Sequence, residues 1–286
     1  MPRTQAFRRA GACAAAVMMT GALAAAPADA HHAGPQPGPV NAANTYGWRP
    51  VKWHFNWYEP CEQNPDPDCV PRHYPFRPWR RSASGSGIAY IRWGMIVLDS
   101  SDHQFLQPSR GSVRAILGRR GERYGRWEMR LRAPVWYDDG RDYRVLAELV
   151  PANRTLRRCP GRNIALASFF AGGSRVSVFA RNAGKQWTYT KRPMTLDRWS
   201  WHTYAVEVTP RRISWFIDAH VVATIRNRQA TSDVRLTPRL TLRGVPGASM
   251  DRARIGVDWV RHWTLEKPNQ KGVRAPAPTV RTYRGC

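Results

Sequence analysis

Trp127, Met129 and Leu131 alternate with Glu128, Arg130 and Arg132, a strict period of two that sets apolar side chains on one face of an extended strand and charged ones on the other. Tyr204, Val206 and Val208 alternate in the same way with Ala205, Glu207 and Thr209. Further short runs fall at Ile88 to Leu98, Tyr143 to Val150, Asn163 to Phe170, Arg175 to Arg181, Arg211 to Ile217 and Val257 to Leu265. Ala171-Gly172-Gly173, Thr209-Pro210 and Asp139-Gly140 supply turn chemistry between runs. No segment carries a convincing long stripe at helical spacing. Strands with one dry face must hide it, and two antiparallel sheets packed face to face do so. The expected class is therefore all-β, and 286 residues that are 42% hydrophobic hold enough apolar material to fill one large core.

The two ends of the chain read differently from this middle. Arg3, Arg8 and Arg9, the apolar stretch Ala10 to Ala25 and the small-residue site Ala28-Asp29-Ala30 have the layout of an export signal over residues 1–30. The Ala- and Gly-rich stretch is short for crossing a bilayer, so no membrane span is expected. Residues 31–44 are rich in Pro, Gly and Ala and read as a flexible leader, residues 45–266 as one domain, and residues 267–286 as a basic tail ending in a cysteine. Export makes disulfides durable, and Cys61, Cys69, Cys159 and Cys286 form an even set once Cys13 leaves with the signal. Of the three possible pairings, the expected one clips Cys61 to Cys69 and tethers Cys286 to Cys159.

Lys and Arg number 45 against 20 Asp and Glu, a formal charge of +25 that favours polyanionic company. Nucleic acid is not the expected partner, because no recognition helix or base-stacking module accompanies the charge.

Three segments carry a resemblance. Tyr124 to Pro134 (YGRWEMRLRAP) resembles the strand that opens the core of family 16 glycoside hydrolases, the laminarinase and lichenase family. His202 to Pro210, followed by Arg212 to Asp218, is similar to its later hairpin, and Val257 to Trp263 to its closing strand. The resemblance implies a concanavalin A-like jelly-roll β-sandwich of two antiparallel sheets whose concave sheet forms a groove for polysaccharide. It also implies a catalytic strand carrying Glu, Asp and Glu at alternate positions, the last displaced by one where a bulge intervenes. Retaining hydrolysis needs two carboxyl groups about 5 to 5.5 Å apart. In this sequence the matching strand, Gly161 to Phe170, has Asn163, Ala165 and then Ala167, or Ser168 if a bulge is present. An amide cannot form the glycosyl ester in the ordinary way, and a methyl group cannot donate a proton.

Glu148 is the nearest substitute acid, and its expected role is as a structural ion partner of an arginine. With catalysis doubtful, the groove is left to bind. Trp136, Tyr137, Tyr143, Trp187 and Tyr189 are candidate platforms for sugar rings, with Arg144 and Asn163 as donors. Trp127, Trp215 and Trp259 are expected in the core. Arg141, Arg144, Arg154, Arg157, Arg158 and Arg162 surround the altered strand in sequence, and guanidinium forks match sulfate, phosphate or carboxylate. The resemblance further implies a structural calcium at Asp258 and a hydrogen-bonded structural role for His202; no other cofactor is expected. The function expected is that of an exported carbohydrate- or cell-envelope-binding protein without hydrolytic activity, whose partner is a polysaccharide, anionic or of the cell wall. The alternative is an active hydrolase acting on a β-glucan or anionic galactan through relocated carboxylates.

Overall fold

A computed structural model describes residues 41–57, 78–101, 109–118, 121–137, 140–197 and 200–285. Numbered along the chain, the strands form two antiparallel sheets. Sheet A runs β14 (His220–Ile225), β13 (Ile213–Ile217), β12 (His202–Val208), β6 (Gly125–Arg132), β16 (Arg252–Trp263), β4 (Met95–Asp99) and β3 (Ile88–Arg92), with β1 (Val51–Asn56) and β7 (Val135–Tyr137) also paired to β16. Sheet B runs β17 (Thr279–Thr282), β11 (Lys185–Lys191), β10 (Val176–Asn182), β9 (Ile164–Phe170), β8 (Arg144–Pro151), β15 (Leu236–Arg243), β5 (Val113–Leu117) and β2 (Trp79–Ala83). Two short helices, α1 (Ala42–Tyr46) and α2 (Arg154–Arg157), lie outside the sheets. The all-β expectation and the two-sheet jelly roll hold.

The core is built from the inward rows of both sheets. Trp127, Met129 and Leu131 of β6, Tyr204, Val206 and Val208 of β12, and Val145, Ala147 and Leu149 of β8 all belong to it. Each is at most 1% exposed. The dry face read from the alternation in β6 and β12 is thus the buried one. The run at Ile88 to Leu98 is a hairpin rather than one strand, because Trp93 and Gly94 both adopt left-handed φ, 51° and 65°, and reverse the chain between β3 and β4. Gly125 is required by its surroundings: at φ 146° an added Cβ would lie 2.2 Å from His262 Nε2.

Residues on both flanks of the expected domain belong to the fold. Asn41 caps α1, and Ala42, Ala43, Tyr46 and Trp48 pack with Phe216, Trp263 and Val273 on the outer face of sheet A. The leader boundary at residue 44 is therefore too late, since a Pro- and Ala-rich composition conceals a helix that is held by packing. Part of the basic tail also packs on the fold: Val273 is buried, and β17 pairs with β11. Glu207 anchors this region from β12. Its carboxylate takes Arg126 Nε at 2.7 Å, Asn269 Nδ2 at 2.9 Å and the Arg212 guanidinium, while Arg126 donates onward to the Thr264 and Lys267 carbonyls, each at 2.9 Å. The signal at residues 1–30, the rest of the leader, and Cys61, Cys69 and Cys286 lie outside the described residues, so the pairing of Cys159 does too.

Glu128 points outward from β6 beneath α1, where Oε1 accepts from the Ala42 N–H at 2.6 Å and Oε2 from the Ala43 N–H at 3.4 Å. Burial pushes its carboxyl up to about 7, against the opposing pull of those two donors. A raised value means that the folded protein holds this proton more tightly than the unfolded chain does. The resulting stabilisation is complete below the ordinary carboxyl range and is lost as pH rises through about 7. The protection factors of the amides across residues 42–48, taken against the intrinsic exchange rate at each pH, are accordingly expected to be higher at pH 5 than at pH 8, with the difference abolished in Glu128→Gln. Equal protection at both pH values in the wild-type chain would contradict this account.

Candidate functional site

The register of sheet B defines what its outer face presents. One row across the sheet reads Arg80, Ile116, Arg239, Glu148, Ala165, Phe179 and Thr188 from β2 to β11. The neighbouring outward row reads Ser82, Arg114, Thr241, Leu146, Ser168, Ser177 and Thr190. Between Ala165 and Ser168 the register of β9 shifts against both neighbours, which is a β-bulge. The bulge sends Leu166 and Ala167 into the core and turns Ser168 outward, so Asn163, Ala165 and Ser168 share one face. From the opposite sheet, Trp215 Nε1 donates to the Ala165 carbonyl at 2.9 Å.

The strands of sheet B contain one carboxylate, Glu148 on β8. Both of its oxygens are engaged. Oε1 accepts from Arg239 Nε at 3.0 Å and Nη2 at 2.7 Å, a two-pronged contact, and Oε2 accepts from Asn163 Nδ2 at 2.8 Å. Glu148 is 3% exposed. A carboxylate so placed is held by one arginine and one amide, and no second carboxylate stands on this face of the described strands. Asp142 is exposed ahead of β8, and Asp138 and Asp139 lie outside the described residues. Two buried polar atoms on the outward rows or beside them, Asn163 Oδ1 and Thr241 Oγ1, have no hydrogen-bond partner among the described residues.

Cations dominate the rest of the face. Arg80, Arg114, Arg239, Arg243 and Arg144 share it through the register, and Arg181 lies on the same side of β10 as Phe179. Arg114 is held below the usual arginine range by partial burial and then by the Arg239 and Arg243 charges, with Glu148 opposing. Arg157 is lowered by burial first and then by Arg239, Arg154, Arg80 and Arg114. Like charges are crowded here.

The structure redistributes the aromatic candidates. Tyr143 is 0% exposed and Trp187 is 3% exposed, both in the inter-sheet core, and Tyr189 packs against that core, so none is a platform on the outer face. In an antiparallel pair the ladder decides which alternate residues face inward, and Thr188 and Thr190 hold the outward positions of β11. Trp136 belongs to β7 in sheet A, with Arg254 over its ring at 4.7 Å, and so lies away from this face. Tyr137 also pairs through β7, opposite Arg252. The aromatic groups that do lie here are Phe170, 46% exposed with Arg144 over its ring at 4.7 Å, and Phe179, which with Tyr283 sandwiches Arg181 at 4.4 and 4.2 Å. The outward parity of β9 was the signal that could have found Phe170.

Trp127 and Trp215 lie in the core as expected, whereas Trp259, though buried, stacks under Arg261 on the outer side of sheet A. His202 is the expected structural histidine, with Nδ1 at 2.7 Å from Asp218 Oδ2 and Nε2 at 2.7 Å from the Thr195 carbonyl. Asp258 Oδ2 accepts from Arg130 Nη1 at 2.6 Å. Among the described residues no three His, Cys, Asp or Glu side chains gather around a common point. A guanidinium on the one carboxylate implied for calcium is a poor fit to a bound cation.

The scaffold is thus a two-sheet jelly roll with an outward-facing, bulged strand on one sheet. No protein-family model and no curated protein matches the chain. Solved structures do match. The laminarinase of Rhodothermus marinus superimposes with a TM-score of 0.55 at 19% identity, covering 76% of this chain and 97% of its own. The endo-β-1,3-glucanase of Pyrococcus furiosus gives 0.54 at 16% identity over 79% and 96% of the two chains. LamA of Z. galactanivorans, solved with laminaritriose and laminaritetraose, gives 0.53 at 12% identity over 76% and 100%. The resemblance to family 16 therefore holds for the fold. No helix among the described residues is long and apolar enough to cross a membrane.

Proposed function

We propose that this chain is an exported polysaccharide-binding protein without hydrolytic activity, and that its polymer carries negative charge. One observation carries the reading: among the described residues the strands of sheet B carry a single carboxylate, and Arg239 and Asn163 occupy both of its oxygens. Acetal cleavage with retention needs a nucleophile and a proton donor, and the aligned positions hold an amide, a methyl and a hydroxyl. The scaffold still offers what chain binding needs. Asn163 and Thr241 supply buried polar atoms awaiting partners, and Phe170 supplies an exposed ring. The arginines favour a polymer bearing sulfate, phosphate or uronate groups. Export rests on the basic, apolar and small-residue layout of residues 1–30.

The test is incubation of the protein with laminarin, lichenan, agar and a sulfated galactan, with assays of reducing ends and of retention on the immobilised glycans. Retention without new reducing ends is expected. Release of reducing ends that Glu148→Gln abolishes would overturn the reading and favour the hydrolase alternative, and failure to be retained on any glycan would refute binding.

A further inference from the structure

Beside the β5 and β15 strands of sheet B, α2 closes a cavity of about 300 Å³ lined by Arg114, Arg154, Thr155, Arg157, Arg158 and Arg239. Among the described residues its wall has five guanidinium groups and no carboxylate. Two of the five are committed elsewhere: Arg239 to Glu148, and Arg157 to the Pro151 and Ala152 carbonyls at 2.9 and 2.5 Å. The committed pair fixes the shape of the wall, because each guanidinium is held by two contacts. Arg114, Arg154 and Arg158 form no ion pair and no side-chain hydrogen bond with any described residue. Three cations facing one concavity, none bonded to a carboxylate among the described residues, repel each other, and a bound anion removes that cost while accepting their hydrogen bonds.

Within the glycan-binding reading above, on which this rests, we infer that the five-arginine cavity is a subsite for an oxyanion substituent, a sulfate, phosphate or carboxylate, carried by a chain lying across the outer face of sheet B. The location supports a chain rather than a free ion. Arg239 and Arg114 stand in the same outward rows as Glu148 and Ser168, so a polymer crossing β9 and β8 leads directly to the cavity. Thr155 adds a hydroxyl donor among the guanidinium groups.

The experiment compares binding of the full chain to a sulfated galactan, to the same galactan after chemical desulfation, and to a polyuronate, each over a range of salt. Arg114→Gln and Arg158→Gln are the variants, both at exposed positions that leave the core untouched. Arg211→Gln, in the exposed turn between β12 and β13 of the other sheet, is the charge control. The sulfated galactan or the polyuronate is expected to bind more tightly than the desulfated chain, and which of the two wins identifies the substituent. Each cavity variant is expected to lose about tenfold in affinity for the charged chain and to flatten its salt dependence by about one counterion, with little change for Arg211→Gln. Equal binding of charged and desulfated galactan, or equal losses in cavity and control variants, overturns the subsite while leaving the glycan-binding reading standing. No binding to any of the three chains overturns both.

Discussion

Replacing Glu207 by alanine is expected to lower the unfolding free energy by about 3–5 kcal/mol. The side chains of Glu207 and Arg126 are 1% and 3% exposed, so neither charge can turn to water when its partner is lost. Removing the carboxylate strands the Arg126 guanidinium in the interior and also releases Arg212 and Asn269. Because Arg126 holds the Thr264 and Lys267 carbonyls, the loss should spread into the segment after β16. Thermal or denaturant unfolding gives the magnitude, and limited proteolysis around residues 267–273 reports the spread. Glu207→Gln, which keeps the shape and one acceptor, is expected to fall between the two. A midpoint unchanged in Glu207→Ala would contradict the argument.

Trp215→Ala should be comparably damaging, at about 3–5 kcal/mol for a fully buried tryptophan. Its more informative counterpart is Trp215→Phe. That variant keeps most of the apolar contact but withdraws the indole N–H from the Ala165 carbonyl, leaving a buried acceptor unpaired at a cost of about 1–3 kcal/mol. The carbonyl sits at the start of the bulge, so the strand that carries Asn163 and Ser168 should lose its fixed register first. A fall in glycan retention greater than the fall in stability is expected for Trp215→Phe. A loss of stability with unchanged retention would show that the indole fills space and does not hold the bulge.

Much of the fold was legible because alternation is a local signal. β6, β12, β9 and β8 are all read to within one or two positions at their ends. β15 went unread because Pro238 demotes a strand, and it is tolerated here where only the β8 side of the ladder is formed, β5 joining from Arg239 onward. α1 is too short to show a period and owes its existence to Glu128 and the apolar patch beneath it. In the site, Asn163 and Ala165 were legible through the resemblance, but the choice between Ala167 and Ser168 was not, since a bulge depends on partners across two ladders. The same limit misplaced the tyrosines and tryptophans, because an aromatic residue in a strand suits either face until its neighbours fix the parity. Arg239 and Glu148 are 91 residues apart, and nothing local in either segment announces their meeting.

The docking of residues 42–48 on sheet A also has an orientational consequence. Its anchor, Glu128, and the arginine-rich surface occupy opposite sides of the sandwich. A long chain lying along the cationic side therefore never meets residues 42–48.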